Sequence, residues 1–432
     1  MICENLSVNE KGNLCIGGMD TVELAKKHGT PLYVMDEDRI RERCRTYMTA
    51  MKEAFGESAL PLYAGKAAAF RHIYRVMREE NMGIDVVSSG EIYSAASVDF
   101  PMERAYFHGN NKTDADISYA MEHGVGTFVV DNNEELYAVD RIAGERGINQ
   151  KILIRITPGI DPHTYEAVST GKVDSKFGNA IETGAAEQIV ANALTLKNIT
   201  LRGFHCHVGS QVFDSDIYLR ACAIMLDFSA QMKAKFGYEI LELDLGGGYG
   251  VRYLEEHPII DIPANIRQVG AAFKAQCESL GLTPPAVRME PGRSIVADAG
   301  MTLYTVGTVK RIPGYKNYVS VDGGMTDNPR FALYQSPYTA YIANRMNEPA
   351  GMRASVVGRC CESGDILQEN VPVPATTERG DIAAVLTTGA YNYAMSMTYN
   401  RIPRPAMIMV AGGEDKLIIR RESYEDLCRN EL

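Results

Sequence analysis

Residues 60–87 read LPLYAGKAAAFRHIYRVMREENMGIDVV, and this stretch indicates the fold class. It begins with a short apolar run, Leu60–Ala64, continues through a helix-like segment, Ala68–Met82, and ends in a second apolar run, Ile84–Val87. Short apolar runs are typical of buried strands, and the segment between these two is long enough to cross back over a sheet as a helix. The stretch therefore predicts one strand-helix-strand unit of a parallel sheet.

The same alternation is found throughout the first two thirds of the chain. It comprises eight apolar runs: Leu60–Ala64, Ile84–Val87, Ala105–His108, Thr127–Val130, Ile152–Ile156, Leu201–His207, Ile240–Leu245 and Ala286–Met289. Helix-like segments lie between them and include Asn133–Arg146, Asp216–Phe236 and Asn265–Leu280. Eight such units in about 250 residues match a (β/α)8 barrel of the TIM type. An open doubly wound sheet is the alternative, because periodicity does not show whether a sheet closes.

After the eighth run the pattern changes to strand-like runs separated by turn signals. These runs are Leu303–Ile312, Tyr318–Val321, Ala354–Cys360, Ile382–Leu386 and Ala406–Val410. An early run, Pro31–Met35, fits no strand-helix unit, so we expect it to pair with the C-terminal strands. We therefore predict a barrel over residues 36–293 and a second, mostly antiparallel β domain, resembling a sandwich or a small barrel, from residues 1–35 and 294–432.

The composition is that of an ordinary globular protein: of 432 residues, 45% are hydrophobic and 23% are charged. The net charge of −11 would repel a phosphate backbone, so nucleic acid is not an expected partner. No apolar run approaches the roughly 18 residues that a membrane crossing requires, and Met1–Gly12 is polar where a signal peptide would be apolar. We expect a cytoplasmic protein with no membrane partner.

The nine cysteines are scattered from Cys3 to Cys428, with no C-x-x-C pair and no grouping with histidines at the spacing of a zinc site. Such thiols are typical of a reducing compartment, where they pack as small apolar side chains. Only the adjacent pair Cys360 and Cys361 departs from that pattern.

Chemically distinctive residues follow several of the predicted barrel strands. Reactive groups of such barrels lie at the carboxyl ends of the strands, so these residues are expected on one face. They are Lys66 after the first strand, His205 and His207 in the sixth, Gly246–Gly248 after the seventh, and Glu290 and Arg293 after the eighth.

Lys66 is flanked by small residues, Ala64, Gly65 and Ala67, which leave space for a flat ligand and little water to solvate a charge. Desolvation lowers the pKa of a lysine and favours the neutral amine that a Schiff base requires. The alternative is an ordinary solvated surface lysine.

The glycine run and the Glu290/Arg293 pair each have two interpretations. Gly246–Gly248 either forms a tight turn or offers bare backbone amides to a phosphate, the group that docks after the seventh and eighth strands of many barrels. Glu290 either pairs with Arg293 or faces a pyridine nitrogen. In the second case it would keep that nitrogen protonated, as the chemistry of pyridoxal phosphate (PLP) requires.

His205 and His207 alternate along the predicted sixth strand, so their side chains are expected on the same face, where one could lie flat against an aromatic ring. Two such histidines could instead share a metal ion. The sequence offers no third ligand at convincing spacing, so we predict no metal site.

Several motifs resemble those of the PLP-dependent decarboxylases of the alanine-racemase fold type, and among them most closely the family that acts on diaminopimelate. They span residues 63 to 391: Tyr63-Ala64-Gly65-Lys66-Ala67, Phe107-His108-Gly109-Asn110-Asn111-Lys112, Ser175-Lys176-Phe177-Gly178, His207-Val208-Gly209-Ser210-Gln211, Gly246-Gly247-Gly248, Glu290-Pro291-Gly292-Arg293, Cys361-Glu362-Ser363-Gly364-Asp365 and Gly389-Ala390-Tyr391.

This resemblance implies a PLP cofactor and a homodimer with shared active sites. Lys66 would carry PLP, His207 would stack on its ring, and Cys361 would donate a proton from the second subunit. The implied cofactor-binding residues are Lys66, His207, Ser210, Gly247, Gly248, Glu290, Gly292, Arg293 and Tyr391.

The resemblance also implies decarboxylation of meso-2,6-diaminopimelate to L-lysine and CO2, a step of lysine biosynthesis. The distal carboxylate and ammonium of this small amino acid would need a forked cation and an anion. The implied substrate-binding residues are Arg293, Arg330, Tyr334, Glu362 and Tyr391.

Two departures from the family pattern concern the specificity loop and the proton donor. The segment Arg330-Phe331-Ala332-Leu333-Tyr334 lacks the usual proline and the later histidine, and Cys360 takes the place of a proline-containing turn. The alternatives are therefore a PLP-dependent decarboxylase of lysine, ornithine or arginine, and a non-catalytic binding homologue.

Overall fold

The computed structural model describes residues 1–160 and 175–432. The described chain forms two compact units. One, here called the β unit, comprises Met1–Glu42, Val251–Pro258 and Ile295–Leu432; the other, the barrel unit, comprises Arg43–Gly250 and Ile259–Ser294.

The N-terminal segment contributes short strands and two helices: β1 (Leu6–Val8), β2 (Leu14–Ile16), β3 (Met19–Asp20), α1 (Thr21–His28), β4 (Leu32–Asp36) and α2 (Glu37–Phe55). The side chain of Asp20 begins α1 by accepting hydrogen bonds from the backbone N–H groups of Val22 and Glu23. Gly29 ends this helix with a φ of 71°, a conformation that side chains disfavour.

In the described part of the chain the barrel consists of eight parallel strands, with a short ninth beside them. The eight are β5 (Leu60–Ala64), β6 (Gly83–Val86), β7 (Ala105–Phe107), β8 (Thr127–Val130), β9 (Gln150–Thr157), β11 (Ile199–His205), β12 (Glu242–Asp244) and β13 (Ala286–Met289), and the ninth is β10 (Asn179–Ala180). β13 pairs with β5, and β9 pairs with both β8 and β11, so the sheet closes on itself. The predicted closed barrel is confirmed, and the open sheet is excluded.

Helices follow most of these strands: α3 (Arg71–Glu79), α4 (Ser89–Ala96), α5 (Asp114–Glu122), α6 (Asn133–Arg146), α7 (Ala185–Ala193), α8 (Asp216–Phe236) and α9 (Ile262–Leu280). Their ends are encoded locally. Asn132 caps α6 by accepting from the backbone N–H of Glu135, and Gly147 ends it in the left-handed conformation. Within residues 1–160 and 175–432 no helix combines the length and apolar character needed to span a bilayer.

Four strands contribute side chains to one apolar cluster of the barrel unit. Leu62, Tyr106, Val129 and Leu153 are each at most 4% exposed and contact one another. This packing accounts for the apolar runs, because a parallel strand of this kind is buried on both faces.

The remaining elements of the chain are α10 (Arg293–Val296), β14 (Gly300–Arg311), β15 (Asn317–Val321), α11 (Arg330–Tyr334), β16 (Ala340–Ile342), β17 (Ala350–Val357), β18 (Ile366–Pro374), β19 (Ile382–Leu386), β20 (Ala406–Ala411), β21 (Glu414–Ile419) and α12 (Tyr424–Cys428). The pairing in the described sheet of the β unit is mostly antiparallel. β4 lies between β14 and β20, which is the pairing expected of Pro31–Met35.

Two predicted strands end at least two residues earlier than expected. The sixth barrel strand ends at His205 and does not reach His207, so the strand alternation used to place these two side chains on one face does not apply. β17 ends at Val357, which leaves Cys360 and Cys361 in a loop. Apolar character continues beyond the last ladder bond in both places, and composition alone does not mark that end.

Candidate active site

Lys66 lies in a single turn, Gly65–Ala67, directly after β5. Gly65 is required there because a Cβ would lie 2.7 Å from the Tyr74 hydroxyl. The sequence predicts a desolvated amine at Lys66. The structure shows instead an exposed residue between two buried ones, because alanine side chains are too short to cover it.

Glu290 follows β13 and is only 6% exposed. Its Oε2 lies 3.2 Å from Nε2 of His205, and its Oε1 lies 2.8 Å from Nε2 of His108. Burial acts to raise the pKa of Glu290, but the two imidazoles outweigh burial and hold the pKa well below its usual range. The carboxylate is therefore ionised in the interior of the barrel.

Two further acids lie beside Glu290. Burial raises the pKa of Asp85 to about 6, and burial together with the charge of Glu290 raises the pKa of Asp244 well above its usual value. Asp244 accepts the backbone N–H of Gly246 at 2.9 Å. The proton is therefore held more tightly on Asp244 and Asp85 than on an exposed aspartate, while Glu290 keeps the charge.

The structure gathers two histidines and two acids inside the barrel, since atoms of His108, His205, Asp244 and Glu290 lie within 4.8 Å of one another. Such a cluster suits a cationic group such as a protonated ring nitrogen. Sequence reasoning assigned no site role to His108, Asp85 or Asp244, although an aspartate inside the apolar strands β6 and β12 is a signal that could have found the last two.

The glycine run lies where side chains do not fit. A Cβ on Gly247 would lie 1.9 Å from the carbonyl oxygen of Glu290, and one on Gly248 would lie 2.3 Å from that of Gly209. The backbone N–H of Gly247 donates to Nδ1 of His207 at 3.3 Å. Burial, followed by the positive charge of Lys66, lowers the pKa of His207 well below its usual value, so the ring is neutral.

Arg293 lies at the start of α10 and is 6% exposed. Its Nη2 donates to Oγ of Ser210 at 2.9 Å, whereas the carboxylate of Glu290 faces the two histidines. The structure therefore supports separate partners for Glu290 and Arg293 over a simple ion pair between them. Gly292 packs closely, since a Cβ there would lie 3.0 Å from that of Ala64.

Three other predicted residues form a second group, in the β unit. The guanidinium carbon of Arg330 lies 5.4 Å from the ring centroid of Tyr334 and 5.2 Å from that of Tyr391. Arg330 is 7% exposed, and its Nη2 donates to Oγ of Ser336 at 3.3 Å. The predicted loop at Arg330 is thus a short helix that places a buried cation between two tyrosines.

Cys361 and Glu362 form a third, exposed group in the same unit. The backbone N–H of Cys361 donates to Oδ1 of Asn400 at 2.8 Å, and Oε1 of Glu362 accepts from the N–H of Gly364 at 3.2 Å. Burial, then the charge of Asp365, raises the pKa of the Cys360 thiol to about 12. Of the two adjacent thiols, Cys361 is the more exposed one.

The structure thus places one set of the predicted site residues at the carboxyl ends of the barrel strands: Lys66, His207, Ser210, Gly247, Gly248, Glu290, Gly292 and Arg293. The others belong to the β unit: Arg330, Tyr334, Cys361, Glu362 and Tyr391. The barrel set combines an amine, an ionised carboxylate and a phosphate-sized row of glycine amides, which is the donor set that a pyridoxal cofactor needs.

Comparison with known proteins agrees with this chemistry. The family model described as "Pyridoxal-dependent decarboxylase, pyridoxal binding domain" matches residues 37–297. The diaminopimelate decarboxylase of Bacillus methanolicus is 44% identical over 415 residues, which cover 96% of each chain. That of Bacillus subtilis strain 168 is 42% identical over 424 residues, which cover 98% of this chain and 96% of the relative.

Solved structures extend the comparison to the fold. The structure of diaminopimelate decarboxylase from M. jannaschii in complex with L-lysine has a TM-score of 0.92 and 32% sequence identity, and the match covers 100% of this chain and 98% of that one. Because the family model covers more than half of the chain and the curated relatives match nearly all of it, this chain belongs to the pyridoxal-dependent decarboxylases, and among them to the diaminopimelate decarboxylase family.

Proposed function

We propose that this chain is a carboxy-lyase that converts meso-2,6-diaminopimelate to L-lysine and CO2 with PLP as cofactor, in lysine biosynthesis. The observation that carries the proposal is the buried, ionised Glu290 at the carboxyl end of the barrel, in a chain 44% identical over nearly its whole length to a diaminopimelate decarboxylase. The solved relative with L-lysine bound supports the identity of the product.

The residues present fit PLP. Oε1 of Glu290 is buried and has no aligned hydrogen bond within the described residues, and the glycine row would clash with any Cβ. We assign the ring nitrogen to Glu290 and the ring face to His207. The phosphate is assigned to the barrel residues Gly247, Gly248 and Gly292 together with Ser210 and Arg293. Residues 36–293 would then form the cofactor-binding domain.

Bound PLP supplies an electron sink for the pair of electrons left at Cα when CO2 departs. Lys66 would hold the aldehyde of the cofactor through its amine, and Glu290 would hold the proton on the ring nitrogen. The thiol of Cys361 would deliver a proton to Cα.

Recognition of the distal end of the substrate is assigned to Arg330, with Arg293 as a second forked cation. A buried guanidinium offers two parallel donors to a carboxylate, and its burial leaves little competition from water. Tyr334 and Tyr391 hold the plane of Arg330 through their rings, and Glu362 supplies the anion for the distal ammonium.

The protein is further proposed to be a cytoplasmic homodimer in which the partner subunit's Cys361 completes each active site. Cys361 is exposed on its own chain, as a residue that serves a second subunit would be. Six of the nine thiols are buried as small apolar side chains, which supports a reducing compartment.

The test is CO2 release from meso-diaminopimelate, L-lysine, L-ornithine and L-arginine by the PLP-loaded protein, with products identified by mass. Release from diaminopimelate alone, with L-lysine formed, supports the proposal. Release only from a basic amino acid would overturn the substrate. Borohydride reduction should fix PLP to Lys66 and not to the Lys66→Ala variant, and the absence of an adduct from the parent chain would overturn the cofactor.

Shared active sites have a separate test. Lys66→Ala and Cys361→Ala chains, each inactive alone, are refolded together, and partial recovery of activity is expected because one site of the mixed dimer keeps both groups. Activity that stays absent, while size measurements show mixed dimers, would overturn the sharing.

A further inference from the structure

Two buried imidazoles converge on one carboxylate in the barrel. His108 directly follows β7 and is 5% exposed, and His205 ends β11 and is 1% exposed. Nε2 of His205 hydrogen-bonds to Oε2 of Glu290 at 3.2 Å, whereas Nε2 of His108 lies 2.8 Å from Oε1 as an ion-pair contact without the alignment of a hydrogen bond, and the rings meet edge on with centroids 4.9 Å apart. The reaction proposed above uses neither of them.

The hydrogens on these rings follow from their partner. An ionised carboxylate only accepts hydrogen bonds, so the nitrogen that faces it must carry the hydrogen. Nδ1 of His205 is buried and has no hydrogen-bond partner among the residues that the structure describes. Burial also lowers the pKa of His205, so this ring is neutral and has Glu290 as its hydrogen-bond acceptor.

The charged groups around Glu290 show why its carboxylate needs the two imidazoles. The other charged or titratable side chains around the cluster are Lys66, Asp85, Asp131, Arg155, Cys206, His207 and Asp244, all of the barrel unit. Three of these are acids, and a buried carboxyl group among acids takes up a proton unless donors stabilise its anion. A protonated Glu290 could not keep the ring nitrogen of a pyridine protonated.

We propose that His108 and His205 are positioning residues that keep Glu290 ionised and fix the plane of its carboxylate for the cofactor nitrogen. This inference rests on the proposed function, since it assigns the nitrogen of PLP to Glu290.

The first test is a double-mutant cycle of His205 and Glu290. Its readout is the dissociation constant of PLP, measured by titrating PLP into the full-length protein freed of cofactor. We expect His205→Asn to weaken binding about tenfold, whereas His205→Gln, whose amide nitrogen reaches as far as Nε2, should bind as the parent does. In the Glu290→Gln background the His205→Asn change should have little further effect. Equal losses in both backgrounds would show that His205 does not act through Glu290.

The second readout is the pH dependence of that dissociation constant. If the imidazoles depress the pKa of Glu290, then the His108→Asn/His205→Asn variant should lose affinity for PLP more steeply on acidification than the parent, because its Glu290 takes up a proton at higher pH. The matched control is His123→Asn, at the residue that follows helix α5, which should leave the pH profile unchanged. Identical profiles for the double variant and the parent would overturn the proposal.

A third measurement needs no variant. Nitrogen NMR of histidine-labelled apo protein should show His205 as the neutral tautomer with hydrogen on Nε2, and the opposite tautomer would contradict the inference. Failure of the parent chain to bind PLP would overturn the proposed function. A parent that binds PLP, with additive losses in the mutant cycle, would overturn only the role of the histidines.

Discussion

The backbone N–H of Cys361 donates to Oδ1 of Asn400 at 2.8 Å, so a side chain from another loop holds the main chain at the proposed proton donor. Asn400 itself has a φ of 51°, in the left-handed region that asparagine tolerates better than most residues. The neighbouring Cys360 donates its N–H to Oδ2 of Asp365 at 2.7 Å. Two side chains thus fix the loop that presents the thiol.

Loss of the Cys361 thiol should abolish most of the decarboxylase activity. Cys361→Ser is expected to lower kcat by about 10²–10⁴-fold, the usual contribution of a positioned acid, because a hydroxyl is a far weaker acid than a thiol. Cys360→Ser is the matched control and should retain most of the activity. The steady-state rate of L-lysine formation measures both, and equal losses for the two variants would contradict the assignment.

The same two thiols should differ in reactivity. With iodoacetamide at mildly alkaline pH, Cys361 should be alkylated well before Cys360, because burial and Asp365 raise the pKa of the Cys360 thiol to about 12 and leave little thiolate. Peptide mass spectrometry over a time course gives the two rates. Faster modification of Cys360 would be inconsistent with the structure.

Replacement of Gly247 should damage cofactor binding through the backbone. A Cβ at this position would lie 1.9 Å from the carbonyl oxygen of Glu290, so Gly247→Ala must move one of the two strand ends. The expected cost is about 1–3 kcal/mol of stability together with weaker PLP binding. Gly90→Ala is the control, since the nearest atom to its Cβ would be 3.7 Å away. Thermal unfolding and PLP titration measure the difference.

The barrel could be predicted from the sequence because each buried strand is an apolar run, and three of them, such as Thr127–Val130, have the predicted bounds. Strands with one exposed face escaped prediction. Glu414–Ile419 has no buried residue, and it was missed because it begins with three charged residues, although the turn at Gly412 and Gly413 joins it to β20 as a hairpin. The end of the sixth barrel strand at His205 was not predicted either, because the hydrogen-bonded ladder stops there although apolar residues continue.

The candidate site was predictable in part. Lys66, the glycine run and Glu290 lie at the carboxyl ends of strands, and in barrels of this type that is where the active site is found. The contact of His108 with Glu290 joins residues 182 positions apart in the sequence, and no local pattern contains it. The exposure of Lys66 was not predictable either, because small neighbours suggest space for a ligand and do not show whether water reaches the amine.

Replacement of Arg330 should change substrate use more than folding. Arg330→Met keeps the stem that packs near Tyr334 and Tyr391 but removes the fork, so the KM for diaminopimelate should rise at least about tenfold. Arg330→Lys should recover only part of that loss, because a single ammonium cannot make two parallel bonds. Steady-state kinetics supply the values, and an unchanged KM in Arg330→Met would show that the distal carboxylate binds elsewhere.

The buried Asp327 should make the stability of the β unit fall as the pH rises. It is 1% exposed and accepts hydrogen bonds from the Tyr304 hydroxyl and, at 2.9 Å, from the N–H of Gly324. Burial raises its pKa from the ordinary aspartate value of 3.8 to about 7. Between these two values the folded chain holds a proton that the unfolded chain has released, so the contribution of Asp327 to stability falls as the pH rises.

The Asp327→Asn variant removes this titration and keeps the shape of the side chain. Between about pH 4 and about pH 7 the parent should therefore lose stability relative to the variant as the pH rises. The difference in unfolding free energy, variant minus parent, should increase by at most about 1.4 kcal/mol per pH unit. Asp415→Asn provides a control of opposite sign, because Lys27 and His28 lower the pKa of Asp415. Its destabilisation should be present at neutral pH and shrink on acidification. Urea unfolding at several pH values measures both, and a flat difference for Asp327→Asn would mean that Asp327 is already ionised in the folded chain.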